Sequence, residues 1–194
     1  LETERKNTRS YTGDSIQYLE EHEIAALFAV IRDVKHKAIF ELALHRGLRA
    51  SEVGLLLRSD FRPQARRLHV RRLKNGHAGD YVLTIREMDA LKRWVLIRGD
   101  EAGPMFPGRR FAQPISRQTL HVLMQAYGAA AGLPASKRHF HVLRHTCGTV
   151  MSEMAELLEV SDHLGHRDIR STMKYAKVRS RRRDLLGERL ATKW

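Results

Sequence analysis

Leu68-His69-Val70-Arg71-Arg72-Leu73-Lys74-Asn75-Gly76-His77-Ala78-Gly79-Asp80-Tyr81-Val82-Leu83-Thr84-Ile85 is where this chain changes its rhythm. Leu68–Arg71 and Tyr81–Ile85 are short β-prone runs. The segment between them, Lys74 to Asp80, is rich in turn formers, so the stretch predicts a β-hairpin with Lys74 at its tip. Outward from the hairpin, the apolar residues take three- and four-residue spacing instead. Upstream, a helix is expected from Tyr18, with Leu19, Ile24, Leu27, Phe28 and Ile31 on one face. A second runs from Lys37 to Leu44, with Gly47 as its C-cap, and a third from a Ser51 cap through Leu57, weakened by Gly54. Downstream, helical spacing resumes after Thr84 through Met88, Leu91, Trp94 and Val95. It is interrupted by a Gly/Pro segment from Gly99 to Pro114, then continues over 116–131, 140–153, 156–164, 168–175 and 178–190. The expected fold is mainly α with a small antiparallel β-sheet (α+β). Residues 1–15 are polar and aperiodic and read as a linker or boundary segment, leaving 16–194 as one domain.

Composition narrows the possible functions. About 42% of the 194 residues are hydrophobic, enough for one core of ordinary size, and intrinsic disorder is excluded as the main state. No run approaches the roughly 18 apolar residues of a membrane span. The start, Leu1-Glu2-Thr3-Glu4-Arg5-Lys6, is unlike a signal peptide. A single cysteine, Cys147, excludes an internal disulfide framework or a multi-Cys zinc ribbon and reads as a buried small hydrophobe. The expected location is a reducing one, the cytoplasm in association with the nucleoid. Lys and Arg number 35 against 22 Asp and Glu, a formal charge of +13 that favours a polyanionic partner, most often nucleic acid.

The strongest local signal is His141-Val142-Leu143-Arg144-His145. On a helix His141 and Arg144 are i,i+3 and share a face. Leu164-Gly165-His166 and Ser171-Thr172-Met173-Lys174-Tyr175-Ala176 follow it, and Gly47-Leu48-Arg49-Ala50-Ser51-Glu52 lies far upstream. Together these residues suit phosphodiester chemistry. Attack at phosphorus builds charge on the non-bridging oxygens, and two guanidiniums such as Arg49 and Arg144 can clamp them. Histidines can donate to the same oxygens or move a proton. A tyrosine becomes a nucleophile when cations or a base favour its phenolate. A lysine on the hairpin, Lys74, can protonate the leaving alkoxide. Each residue also has a plainer reading: Arg49 as an ion-pair partner of Glu52, Tyr175 as a packed core residue. The i,i+3 and i,i+4 histidine spacings occur at metal sites, but no local acid or Cys completes one, so no metal is expected. No Gly-rich triphosphate loop and no carboxylate cluster for paired Mg²⁺ appear, so no cofactor is expected.

In order and spacing these pieces resemble the catalytic domain of tyrosine recombinases, the phage-integrase and Xer-like family, over residues 18 to 185. The resemblance implies that family's catalytic-domain fold and a site-specific DNA recombinase working without metal or ATP. It implies that Tyr175 attacks the scissile phosphate to give a 3′-phosphotyrosyl enzyme and a free 5′-hydroxyl. Arg49 and Arg144 would bind the phosphate, and Lys74 would be the general acid. His141 would accept the proton or hydrogen-bond the phosphate, and His166 would be a further donor. Glu52 and His145 match supporting positions, and a hydrogen bond between them is expected. The stretch from Thr146 to Glu156 departs from the family pattern: it has no loop glycine after Gly148 and is slightly short, which is expected to strain the approach of His166. The family's N-terminal core-binding domain is absent from this sequence, so the domain alone should be monomeric, with four protomers on two sites of double-stranded DNA as the full assembly. Arg179, Arg181, Arg182 and Arg183 form either a solvated face or, the favoured reading, a DNA-backbone patch. The stripe Leu185, Leu186 and Leu190 packs on its own domain or on a neighbouring protomer. A type IB topoisomerase and a non-catalytic DNA-binding module are the alternative functions.

Overall fold

A computed structural model of the chain describes residues 16–73 and 76–176. The expected segment 1–15, Lys74, the helix 178–190, the arginines from Arg179 to Arg183 and the leucine stripe lie outside the described residues.

Among the described residues, eight α-helices and three short strands follow in the order α1 (Glu21–Val30), α2 (Val34–Arg46), α3 (Ala50–Val53), β1 (Phe61–Arg62), β2 (Arg67–Val70), β3 (Gly79–Val82), α4 (Ile85–Arg98), α5 (Arg117–Ala130), α6 (His141–Met154), α7 (Leu157–Leu164) and α8 (Arg170–Ala176). The strands make one antiparallel sheet in the order β1-β2-β3, with Leu68 opposite Tyr81 on one side and Phe61 on the other. The hairpin reading therefore holds for β2 and β3 but misses β1, which is two residues long and carries no alternation to detect. Ile85, expected in a strand, is the first residue of α4. Thr84 and Glu87 form a capping box there, Thr84 N–H donating to the Glu87 carboxylate at 2.8 Å and Glu87 N–H to Thr84 Oγ1 at 3.3 Å. The helix expected from Ser51 to Leu57 is a single turn. It is capped by Arg49, whose N–H the Glu52 carboxylate accepts at 2.9 Å, and closed by Gly54.

Helix α2 lies at the centre. Ala38, Ile39, Phe40, Leu42 and Ala43 are all fully buried, against α4 on one side and α6 on the other. Phe40 packs edge-to-face on Phe140 and Tyr127, and Trp94 stacks on Phe106 while its indole N–H donates to the Met105 carbonyl at 2.9 Å. The buried Arg46–Glu87 pair ties the end of α2 to the start of α4. The entering chain is held to α6: Leu19 N–H donates to Thr146 Oγ1 at 2.9 Å, and that hydroxyl donates to the Val142 carbonyl at 2.8 Å. A smaller apolar cluster of Cys147, Val160, Leu164 and Tyr175 fills the space between α6, α7 and α8. Among the described residues no helix is long and apolar enough to cross a membrane.

Candidate active site

Helix α2 ends in the left-handed residue Gly47 (φ 56°), where a Cβ would run into the Leu164 side chain. The tight turn swings Arg49 to the head of α3. Helix α7 ends the same way, at Gly165 (φ 64°), and delivers His166. The two glycine turns face each other across α6, and Arg144 joins them. Its guanidinium is 1% exposed and donates to the Gly47 carbonyl at 2.5 Å and the Leu164 carbonyl at 2.9 Å. The slightly short α6–α7 connection therefore does not keep His166 from the site.

Glu52, fully buried, is the hub of the charges. One carboxylate oxygen accepts from Arg49 Nη1 at 2.6 Å and the other from Arg72 Nη1 at 3.0 Å, with Arg144 Nη1 3.7 Å away. Burial acts to raise its pKa, but the Arg49 N–H and the charges of Arg72 and Arg49 outweigh it and hold the group below the usual carboxylate range. The expected Glu52–His145 hydrogen bond is not formed. The arginines and Arg49 N–H occupy the carboxylate, and His145 turns to Tyr175 instead, with Nδ1 3.1 Å from the phenol oxygen.

Tyr175 is fully buried and docked by its own chain. Its ring lies on Gly148, where a Cβ would come within 2.5 Å of a ring carbon, and the Lys174 ammonium sits 5.1 Å from the ring centroid. Burial pushes the phenol up to about 12, with Arg144 and Arg49 pulling the other way. The histidines are pushed down. Burial, then Arg144 and Arg49, lowers His166 to about 3, while Thr172 Oγ1 sits 2.7 Å from its Nδ1. Burial, then Lys174 and His141, lowers His145 to about 3. His141 keeps solvent contact at the start of α6, yet packing around its ring, then Lys174, Arg144 and Arg49, lowers it to about 4. Its ring meets His145 edge-to-face at 4.5 Å. At neutral pH all three are neutral imidazoles, each with one N–H to donate. Among the described residues no group of three or more His, Cys, Asp or Glu is placed to hold a metal ion.

The structure thus brings together Arg49, Glu52, His141, Arg144, His145, His166 and Tyr175. The residues flanking Lys74 come to the same place, since a Cβ on Gly76 would lie 2.7 Å from the Gly165 carbonyl. Sequence reasoning missed Arg72, Lys174 and Gly148. Lys174 is half-buried, and burial, then Arg144 and Arg49, lowers its pKa. Its position beside Tyr175 was the available signal. Arg72 and Gly148 had no periodic or motif signal, because their roles come from burial.

A helical domain with a small three-stranded sheet and this cluster of arginines, histidines and a tyrosine has known counterparts. The chain belongs to the phage integrase family, whose sequence profile matches residues 17–182. It is a tyrosine recombinase, a site-specific DNA strand transferase. It is 34% identical over 167 residues to the type 1 fimbriae regulatory protein FimB of Escherichia coli K12, covering 81% of this chain and 82% of FimB. With FimE of the same strain it shares 31% over 183 residues, covering 89% and 91%. With the tyrosine recombinase XerD of Haemophilus influenzae it shares 30% over 186 residues, covering 89% of this chain and 62% of XerD. Among solved structures, XerA recombinase superposes with a TM-score of 0.72 at 25% identity over 81% of this chain and 59% of that one. The XerH recombinase in its post-cleavage complex with a palindromic difH substrate has a TM-score of 0.74 at 18% identity over 92% of this chain and 54% of that one, a likeness of fold.

Proposed function

We propose that Tyr175 is the nucleophile of this recombinase and that Arg49, Arg144, His141 and His166 are the groups that receive the scissile phosphate of duplex DNA. One observation carries the reading. Among the described residues Glu52 is the single carboxylate paired with Arg49, Arg72 and Arg144, so the cluster holds surplus positive charge beside a docked phenol. A phosphodiester supplies the missing anion.

In the reaction the phenol oxygen forms a bond to phosphorus and the bond to the 5′ oxygen breaks. The two guanidiniums hold the non-bridging oxygens as charge grows on them. The phenol proton leaves toward the His145 and His141 imidazoles, and Lys74 protonates the departing 5′-oxygen. Anion binding opposes the cations that depress the histidines, raising their basicity when a phosphate is in place. The phosphotyrosyl ester retains the energy of the broken linkage, so attack by a new 5′-hydroxyl reseals the strand without ATP. The working assembly is four protomers on two DNA sites, as in the family; the domain alone is a monomer, and the protein acts in the cytoplasm at the nucleoid. The relative XerH, captured in a post-cleavage complex with its substrate, supports the DNA assignment.

The test uses nicked duplexes recovered from a randomised pool as covalent adducts with the protein, in the presence of EDTA. A protein–DNA band resistant to denaturation is expected, lost in Tyr175→Phe with non-covalent binding kept. A band that persists in Tyr175→Phe, or that needs a divalent metal, would overturn the assignment. Plasmid relaxation without recombinant product would point to a topoisomerase, and binding without any adduct to a DNA-binding module.

A further inference from the structure

Taking the strand-transfer reading above as given, we infer that Arg72 is a positioning residue of this reaction: its buried guanidinium fixes the spacing between the Gly47–Arg49 segment and the Leu164–His166 turn, and so assembles the phosphate clamp. Arg72 lies just beyond β2 and its side chain is 0% exposed. Nη1 donates to Glu52 Oε2 at 3.0 Å. Nη2 lies 2.9 Å from the Arg46 carbonyl, 2.8 Å from the His163 carbonyl and 3.2 Å from the Tyr81 hydroxyl, which itself donates to the His163 carbonyl at 2.9 Å. Each partner anchors a part of the site. The Arg46 carbonyl immediately precedes the Gly47 turn. His163 immediately precedes Leu164, whose own carbonyl is held by Arg144. Glu52 is the partner of Arg49.

The stem of Arg72 is equally committed. A Cβ on Gly165 would come 2.8 Å from its Cγ, and one on Gly76 would come 2.8 Å from its Cβ. The glycine of Leu164-Gly165-His166 is therefore seated on the Arg72 stem. A scaffold role alone is a poor account of the residue. Burying a guanidinium is costly, and an apolar side chain of similar volume is often as stable or more so. Nε has no hydrogen-bond partner, and the charge is added beside Arg49 and Arg144 with one shared carboxylate. The arrangement is repaid when an anion arrives between the other two guanidiniums.

The experiment compares wild type, Arg72→Met and Arg72→Lys on the nicked duplex described above. The scissile linkage is made either as phosphate or as methylphosphonate, which lacks one anionic non-bridging oxygen and asks less of the clamp. For Arg72→Met, non-covalent binding should stay within about threefold of wild type. Single-turnover adduct formation should fall roughly 100-fold on phosphate but less than about tenfold on methylphosphonate. Arg72→Lys, retaining one donor for Glu52, should fall between. Equal losses on both linkages would overturn the inference, because a merely loosened fold does not distinguish them. If Arg72→Met gives no cooperative melting transition, the same ratio measured on Arg72→Lys decides. No adduct with wild type would overturn the strand-transfer reading and this inference with it, whereas a wild-type adduct with equal variant losses overturns this inference alone.

Discussion

The packing of α2 against α4 and the packing of α6 against α7 and α8 follow opposite rules. Around α2 the buried side chains are mostly aliphatic and aromatic, and the Arg46–Glu87 pair is matched one cation to one anion. Around α6 the apolar cluster is small, and beside it lie the buried side chains of Arg144, Glu52 and Arg72, with cations in excess. The first region needs no ligand, since apolar burial needs no charged partner. The second, on the proposed function, is completed when an anion binds. Stability and chemistry are thus assigned to different sides of one helix layer.

This contrast can be broken at several points. The largest effect belongs to Arg144→Lys. An ammonium cannot hold the Gly47 and Leu164 carbonyls together and also present a fork to phosphate, so adduct formation should fall by about 10²–10³. Unchanged single-turnover cleavage would remove Arg144 from the site. Gly148→Ala should come next. Its methyl group meets the Tyr175 ring, so the phenol is displaced and cleavage drops roughly tenfold, while overpacking costs about 1–3 kcal/mol in a denaturant melt. Leu91→Ala, in the fully buried face of α4, should do the reverse. It should lose about 2–5 kcal/mol of stability with the cleavage rate per folded molecule unchanged at low temperature. If Leu91→Ala slowed cleavage as much as Gly148→Ala, the division into two regions would fail.

A further test is the effect of pH on stability. His166 and His145 titrate at about 3 and His141 at about 4 in the folded chain. Below their ordinary value of 6.5 the unfolded chain takes up these protons and the folded chain does not. The stability present above pH 6.5 is therefore lost as pH falls from 6.5 toward about 3–4. The melting temperature should be lower at pH 5 than at pH 7.5. His166→Asn should flatten the dependence, and Leu91→Ala should shift the curve without changing its slope. Arg49, Arg72, Arg144 and Lys174 are the cations facing His166, and a bound DNA phosphate should reduce the dependence as well.

The residues that cluster in the candidate site were readable before the fold was known, because Arg49, Arg144, His166 and Tyr175 occur in short motifs whose order is itself informative. The helices were readable for a different reason: apolar spacing and end signals such as Gly47 report local geometry. Failure came where tertiary contact decides. Glu52 and His145 looked like partners by position, yet three arginines and a phenol outcompete that pairing. Ile85 looked like strand, but the Thr84–Glu87 box starts a helix there and leaves Ile85 80% exposed. Arg72 was one arginine among many, and nothing in a linear pattern marks the one whose charge will be buried.

The hydrogen bond from Leu19 to Thr146 has a mechanical consequence. It fastens the incoming chain to α6 just after Arg144 and His145, on the helix whose residue Gly148 supports Tyr175. A tug on that entry segment reaches α6 through this hydroxyl as well as through the buried Leu19 side chain in the main core. The segment leading into the domain is thus fastened to the same helix that supports the proposed nucleophile.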